Sequence, residues 1–202
     1  MFEFVVPHRT RISQLLGGVL ILVFMFSDRK LESSAPVLTD LMIIAGCFLV
    51  GCATVGRLWC AQYIAGYKTD TLVTVGPYSI CRNPLYFFSL IGGVGVGLCT
   101  ESLILTAVIA VVFAVIYPIT IGTEEQKLSH IFGEAYDNYV ASTPRFLPDV
   151  SKFHEPAEYI VNTRAYRREI ADAVYFVWAV GLFEFIEIFV KSQLLPAYFA
   201  IY

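Results

Sequence analysis

Five runs of apolar residues, each close to the length of a membrane-spanning helix, are the feature that most limits how this chain folds. A helix needs about 20 apolar residues to cross the roughly 30 Å of hydrocarbon in a bilayer, and fewer when it packs within a bundle. With 57% hydrophobic and 15% charged residues, the chain lacks the polar surface of a soluble domain. We therefore predict an all-α, polytopic membrane helix bundle of about five transmembrane helices in a single domain spanning residues 1–202. The predicted spans are Ile12 to Phe26, Leu38 to Trp59, Pro84 to Leu98, Leu103 to Ile121 and Val174 to Val190.

Charge and cysteine usage exclude other classes of protein. A net charge of −3 does not suit a nucleic-acid-binding protein, because such domains are strongly basic. The five cysteines are odd in number and lie mostly in or beside apolar runs, so we interpret them as reduced, small hydrophobic residues. The histidines His8, His130 and His154 do not have the spacing of metal ligands. We predict no metal site and no nucleic-acid partner.

The distribution of Lys and Arg predicts the orientation of the bundle. With five spans and a cytoplasmic N-terminus, three basic residues lie outside: Arg29, Lys30 and Lys191. The other eleven lie on the cytoplasmic side: Arg9, Arg11, Arg57, Lys68, Arg82, Lys127, Arg145, Lys152, Arg164, Arg167 and Arg168. The long polar segments 60–83 and 122–172 then face the cytoplasm, where soluble cofactors are available. We expect the chemistry there, in a bacterial inner membrane or an endoplasmic-reticulum-type membrane.

The second polar segment carries signals for two cytoplasmic helices. Gly122 is predicted to end the fourth span, and Thr123 with Gln126 matches a capping box that starts a new helix. Glu124 lies on the apolar stripe of that helix, where a carboxylate is costly unless it is paired or functional. The stripe consists of Leu128, Ile131, Phe132, Ala135, Tyr136, Tyr139 and Val140. A basic stretch from Ala157 to Ile170 predicts a helix lying on an anionic leaflet.

The segment from Asp70 to Tyr86 is the most informative part of the chain. Read structurally, Gly76 and Pro77 form a turn, and Asn83 caps a helix whose first residue is Pro84. That interpretation would make the segment simply the start of the third span.

A series of motifs in a fixed order indicates more than the start of a helix. The chain reads Leu-Val-Thr-x-Gly-Pro-Tyr at 72–78 and Arg-x-Pro-x-Tyr at 82–86, followed about 40 residues later by Glu-Glu, Phe-Gly, Tyr-x-x-Tyr and Pro-Arg-Phe-Leu-Pro. This order resembles the isoprenylcysteine carboxyl methyltransferase and phospholipid methyltransferase family, membrane enzymes that use S-adenosylmethionine. The resemblance covers about residues 45–148. The C-terminal interfacial helix and last span, residues 157–202, extend beyond it.

The resemblance implies S-adenosylmethionine as cofactor, S-adenosylhomocysteine as product, and a lipid or lipidated acceptor that enters from the membrane lipids. Arg82 and Glu124 are the expected catalytic residues, since a carboxylate suits the cationic donor and a guanidinium suits its carboxylate. Arg145 is the expected substrate-binding residue, with an interfacial anchor as the alternative. The family's histidine is replaced here by Asn83, whose amide forms hydrogen bonds but does not titrate. The expected cofactor-binding residues are Thr71, Leu72, Val73, Tyr78, Asn83, Pro84, Leu85, Tyr86, Glu124 and Glu125.

The acceptor and two other functions stay open at this level. The prenylcysteine enzymes have an arginine near the position of Thr120, whereas this chain has no arginine between Arg82 and Arg145. The acceptor is therefore a prenylcysteine carboxylate, a phospholipid amine or another group. An NADPH-dependent membrane reductase of the sterol type is one alternative function, although a dinucleotide 2′-phosphate favours more basic residues than this region offers. A non-catalytic membrane scaffold is the other. Glu184 and Glu187 lie in the last span, and Glu187 is predicted to pair with Lys191.

Overall fold

The computed structural model describes residues 17–67, 70–192 and 198–201, and these form a helical bundle with one small strand pair. Residues 17–25 form the described part of α1. The strand β1 (Ser27–Arg29) pairs in parallel with β2 (Phe199–Ile201). The helices that follow β1 are α2 (Lys30–Ser34), α3 (Pro36–Ile64), α4 (Pro77–Ile80), α5 (Pro84–Cys99), α6 (Leu103–Phe132), α7 (Glu134–Ser142) and α8 (Thr163–Lys191), with a 3-10 turn at Val150–Lys152 between α7 and α8.

Three helices within the described residues are long and apolar enough to cross a membrane: α3, α6 and α8. Large apolar side chains such as Phe48, Val111 and Trp178 are exposed on them, as expected for surfaces that face lipid. These features confirm an all-α fold and indicate an integral membrane protein. The fourth apolar helix, α5, has 16 residues and a length of about 24 Å. The first predicted span begins outside the described residues, so the number five and the orientation stay predictions.

Close packing of α3 on α5 forms the centre of the bundle, and glycines make it possible. A methyl group added at Gly46 would lie 2.7 Å from the carbonyl oxygen of Gly95, and one added at Gly95 would lie 2.8 Å from that of Gly46. The backbones therefore meet where any larger residue would separate them. The glycines of α5 therefore allow another helix to approach closely. The main hydrophobic core includes Phe24, Val50, Ala53, Val96, Leu105, Phe176, Phe183 and Ile186.

The predicted helix boundary at Gly122 is wrong. Helix α6 continues through Gly122, and the hydroxyl of Thr123 donates to the carbonyl oxygen of Ile119 at 3.1 Å instead of capping a new helix. An uninterrupted helix satisfies its own backbone groups, which is decisive near a bilayer. The break comes at Gly133, whose φ of 51° suits glycine, and α7 begins after it. The predicted apolar stripe is thus divided between two helices.

The prediction of a separate interfacial helix from Ala157 to Ile170 is also wrong. Its second half belongs to α8, which runs unbroken from Thr163 to Lys191. The side chain of Asn162 accepts a hydrogen bond from the backbone N–H of Ala165 and so fixes the start of the helix. The preceding residues are non-helical, and the hydroxyl of Tyr159 donates to the carbonyl oxygen of Tyr63 at 2.8 Å. This contact ties the segment to the end of α3.

Candidate cofactor-binding site

A pocket lies at the end of the bundle where α3 ends and α5 begins. Ten residues predicted from the motifs line it: Thr71, Leu72, Val73, Tyr78, Arg82, Asn83, Pro84, Leu85, Tyr86 and Glu124. Sequence reasoning did not assign three further lining residues to the site: Ile64, Leu128 and Tyr139. Of these, Leu128 and Tyr139 were placed on the apolar stripe with Glu124, so their periodicity was the available signal. Residues 53 positions apart in sequence, from Thr71 to Glu124, therefore surround one space.

Local backbone features place the motif against the pocket. Gly76 has a φ of 61°, and a methyl group added there would lie 2.5 Å from the ring of Tyr63. Both the left-handed conformation and the close approach need glycine at this turn. The short α4 follows, and the hydroxyl of Tyr139 donates to the carbonyl oxygen of Tyr78 at 2.6 Å. This bond fastens the Gly-Pro-Tyr turn to α7.

The hydroxyl of Tyr78 is a buried polar group with no hydrogen-bond partner in the described part of the chain. Its residue is 5% exposed and lines the pocket. Burial raises the pKa of Tyr78 well above its ordinary value, so the phenol stays protonated and is available as a donor. An unsatisfied buried hydroxyl costs about 1–3 kcal/mol, and a polar ligand in the pocket would remove that cost.

Asn83 stands at the position before α5, but its side chain does not cap that helix. The sequence prediction of a side-chain cap is therefore wrong. Its amide instead donates to Glu125 Oε1 at 3.1 Å and to the carbonyl oxygen of Arg145 at 2.9 Å. Longer-range partners satisfy both amide hydrogens, so the local cap is not formed. Asn83 thus joins the start of α5 to α6 and to the segment after α7.

Glu125 is the centre of a charged network beside the pocket. Its two carboxylate oxygens accept hydrogen bonds from Arg82 Nε at 3.2 Å and from Arg145 Nε at 2.9 Å. Arg82 also donates through Nη1 to the carbonyl oxygens of Val140 and Thr143. Its side chain is 11% exposed, whereas that of Arg145 is 49% exposed. Neither Glu125 nor Arg145 lines the pocket, although both were expected to bind ligand, and their contacts give them a role in holding its wall.

Glu124 has a different environment from its neighbour. It is half-buried and lines the pocket together with Leu128, one turn further along α6. The stripe position predicted for Glu124 is therefore confirmed. Among the described residues, the pocket accordingly combines one carboxylate and aromatic faces, which suit positive charge, with Arg82 and the Tyr78 hydroxyl, which suit acceptor atoms.

A second carboxylate cluster lies at the opposite end of the bundle. Carboxylate oxygens of Glu32, Glu101 and Glu187 lie within 4.8 Å of one another. The ammonium group of Lys191 contacts Glu187 at 2.6 Å and Glu32 at 2.7 Å. The predicted pair between Glu187 and Lys191 is confirmed. A lysine cation is therefore part of this cluster.

Comparison with known proteins identifies the family to which this chain belongs. The model of the phospholipid methyltransferase family matches residues 41–135, which contain the pocket except for Tyr139. The chain belongs to this family of membrane proteins. No solved structure matches the chain significantly.

Two relatives are similar along almost the whole chain. The nickel-cobalt-cadmium resistance protein NccN of Alcaligenes xylosoxydans xylosoxydans is 37% identical over 199 residues, which cover 97% of this chain and 91% of the relative. The cobalt-zinc-cadmium resistance protein CzcN of Cupriavidus metallidurans is 37% identical over 195 residues, which cover 96% of this chain and 89% of the relative. The similarity thus extends well beyond the segment matched by the family model.

Proposed function

We propose that the protein transfers a methyl group from S-adenosylmethionine to a lipid or lipidated acceptor at the membrane–cytosol interface. The observation that carries the proposal is the pocket itself. It gathers ten motif residues at one end of a membrane bundle, among them Glu124 and Tyr78, and the Tyr78 hydroxyl has no hydrogen-bond partner among the described residues. The donor supplies an activated methyl group that passes to a nucleophile by in-line displacement.

The pocket residues suit the charges of that donor. Glu124 and the ring faces of Tyr78 and Tyr86 would hold its cationic sulfonium and amino groups. The Tyr78 hydroxyl would donate a hydrogen bond to an oxygen or nitrogen atom of S-adenosylmethionine. Asn83 and Arg82 both donate hydrogen bonds to Glu125, and these bonds fix the positions of the residues that form the pocket wall. The main tasks of the protein are then to bind, align the acceptor and exclude water.

An apolar groove supports an acceptor that comes from the bilayer. The groove has a volume of about 340 Å³ and lies between α1, α5, α6 and α8. Tyr117 lines one end of it, and the ring of Tyr117 packs against that of Tyr86 with their centres 4.9 Å apart. Because Tyr86 also lines the pocket, the two spaces are neighbours and this aromatic pair lies between them. The excess of basic residues in the polar segments supports a cytoplasmic position for the pocket.

Labelled methyl transfer into total membrane lipid tests the proposal. Purified protein, S-adenosylmethionine with a labelled methyl group and extracted membrane lipid should yield a labelled, lipid-soluble product whose structure identifies the acceptor. Glu124→Gln keeps the shape of the side chain and should reduce the rate strongly. Label incorporation that is the same with and without the protein would contradict the proposal.

A role in metal resistance is a second candidate, favoured by the names of the two relatives and their similarity over nearly the whole chain. We propose that methyl transfer is the activity behind such a role. A metal-sensitive bacterial host that expresses the protein should grow in higher cobalt, nickel, zinc or cadmium than one expressing Glu124→Gln. Equal tolerance with both proteins would separate resistance from methyl transfer.

A further inference from the structure

A positive charge lies inside the bundle at Arg57. This residue stands seven positions before the end of α3, which is about 10 Å along the helix axis. Its Nη1 donates to the hydroxyl of Ser89 on α5, and its guanidinium carbon lies 5.7 Å from the ring centre of Phe176 on α8. A charged group at such a position is costly unless it is paired or functional.

Arg57 has no carboxylate partner in the part of the chain that the structure describes. The ion pairs there are formed by Arg82, Arg145 and Lys191. The Nε atom of Arg57 is buried and has no hydrogen-bond partner among the same residues. The Ser89 hydroxyl donates its proton to the carbonyl oxygen of Leu85 at 2.7 Å, so it faces Arg57 as an acceptor. The guanidinium therefore has no anionic partner among the described residues, and its Nε–H is a donor that lacks an acceptor there.

Arg57 lines neither the groove nor the pocket, but it lies close to residues that line the groove and, through Ser89, to the start of α5 beside the pocket. Phe176, which lies beneath the guanidinium, lines the groove. Tyr117, at the end of the groove, lies close enough to Arg57 and Ser89 to interact electrostatically with both. Ser89 is one helical turn beyond Tyr86, which lines the pocket. An anion at Arg57 would thus lie between an apolar tail in the groove and a methyl donor in the pocket.

We infer that Arg57 binds the anionic head group of the acceptor, and that the acceptor is an amphiphile with a carboxylate or phosphate head and an apolar tail. The inference rests on the proposed methyl transfer, because it assigns the acceptor of that reaction. Arginine is well suited to binding such a head group because its planar fork matches both carboxylate and phosphate.

Fluorescence quenching of Trp178 tests the inference without any methyl transfer. Trp178 lines the groove, and the chain's one other tryptophan, Trp59, is replaced by Phe. The protein is placed in phosphatidylcholine nanodiscs at alkaline pH with a bromine-labelled fatty acid, the matching fatty amide, or the matching single-chain phosphate monoester. At least one of the anionic probes should quench at a mole fraction on the order of tenfold lower than the amide, the scale of one charged hydrogen bond. A preference for the acid indicates a carboxylate acceptor, and a preference for the monoester indicates a phosphate.

Two variants assign the preference to Arg57. Arg57→Gln should abolish the difference between the anionic probes and the amide, whereas Arg57→Lys should keep part of it. Arg164→Gln removes the same charge from an exposed site on α8 and should leave the preference intact. Equal quenching by all three probes in the protein that retains Arg57 would overturn the inference without any variant. A preference for the anionic probes that survives in folded Arg57→Gln would also overturn it. If S-adenosylhomocysteine does not bind but the preference remains, methyl transfer fails and the anion site stands.

Discussion

The side-chain amide of Asn83 donates a hydrogen bond to Glu125 Oε1 at 3.1 Å, joining the start of α5 to α6. The same carboxylate accepts hydrogen bonds from Arg82 and Arg145. The residue that replaces the family's histidine is therefore part of the wall of the pocket. Its second bond, to the carbonyl oxygen of Arg145, extends the network to the segment after α7.

Asn83→Ala should destabilise the protein because it leaves two acceptors without this donor. We expect a loss of about 1–3 kcal/mol, the range for hydrogen bonds to charged or buried groups. Asn83→His should lose less, since an imidazole N–H is able to replace one of the two bonds. Thermal unfolding in detergent measures both variants. An Asn83→Ala protein that melts at the wild-type temperature would show that these bonds contribute nothing to stability.

Replacing each glutamate of the pair separately should affect different properties of the protein. Glu125→Gln removes the charge between two arginines and should lower the melting temperature, because breaking a partly buried ion pair leaves its partners uncompensated. Glu124→Gln should weaken S-adenosylhomocysteine binding by about 1–3 kcal/mol, because it removes the carboxylate charge that lines the pocket. Calorimetry and thermal unfolding on both proteins separate the roles. The account is contradicted if Glu124→Gln binds the ligand as wild type does.

Tyr78→Phe removes a buried hydroxyl that has no partner in the described structure. Without ligand, the variant should be as stable as wild type or slightly more stable, because the unsatisfied group is gone. Affinity for S-adenosylhomocysteine should fall about three- to tenfold, the value of one hydrogen bond. A loss of stability without loss of affinity would mean that the hydroxyl serves the fold and not the ligand.

Gly46→Ala should destabilise the bundle, with Gly51→Ala on the same helix as its control. A methyl group at Gly46 would lie 2.6 Å from the Sγ atom of Cys99, whereas one at Gly51 has no atom within 4 Å. Overpacking of this kind costs about 1–3 kcal/mol, and an alanine at an open helical site is neutral or favourable. Equal melting temperatures for the two variants would contradict the close packing of α3 on α5.

The residues of the pocket were predictable because they occur in motifs whose order is characteristic of the family. The same motifs did not reveal that Glu124 and Glu125, adjacent in sequence, have separate environments. That difference arises because Arg82 and Arg145 come from distant segments to meet Glu125. Arg57 was counted only as a charge that sets orientation, since its Ser89 and Phe176 contacts exist only after three helices pack.

Helix boundaries were less predictable than helix positions. Gly122 and Thr123 have the composition of a helix end and start, but a continuous α6 keeps its backbone hydrogen bonds intact. The basic residues before the last span indicated a helix, yet the actual start depends on the Asn162 cap and on the contact between Tyr159 and Tyr63. Local sequence signals compete there with tertiary contacts, and the tertiary contacts prevail.

Calorimetric titration of the detergent-purified protein with S-adenosylhomocysteine, and in parallel with NADPH, tests the central claim most directly. The account predicts saturable binding of S-adenosylhomocysteine, weakened by Glu124→Gln and by Tyr78→Phe, and no binding of NADPH. Binding of NADPH alone would indicate a membrane reductase, and binding of neither would indicate a scaffold that retains the fold. Either of those two results contradicts the proposed methyltransferase.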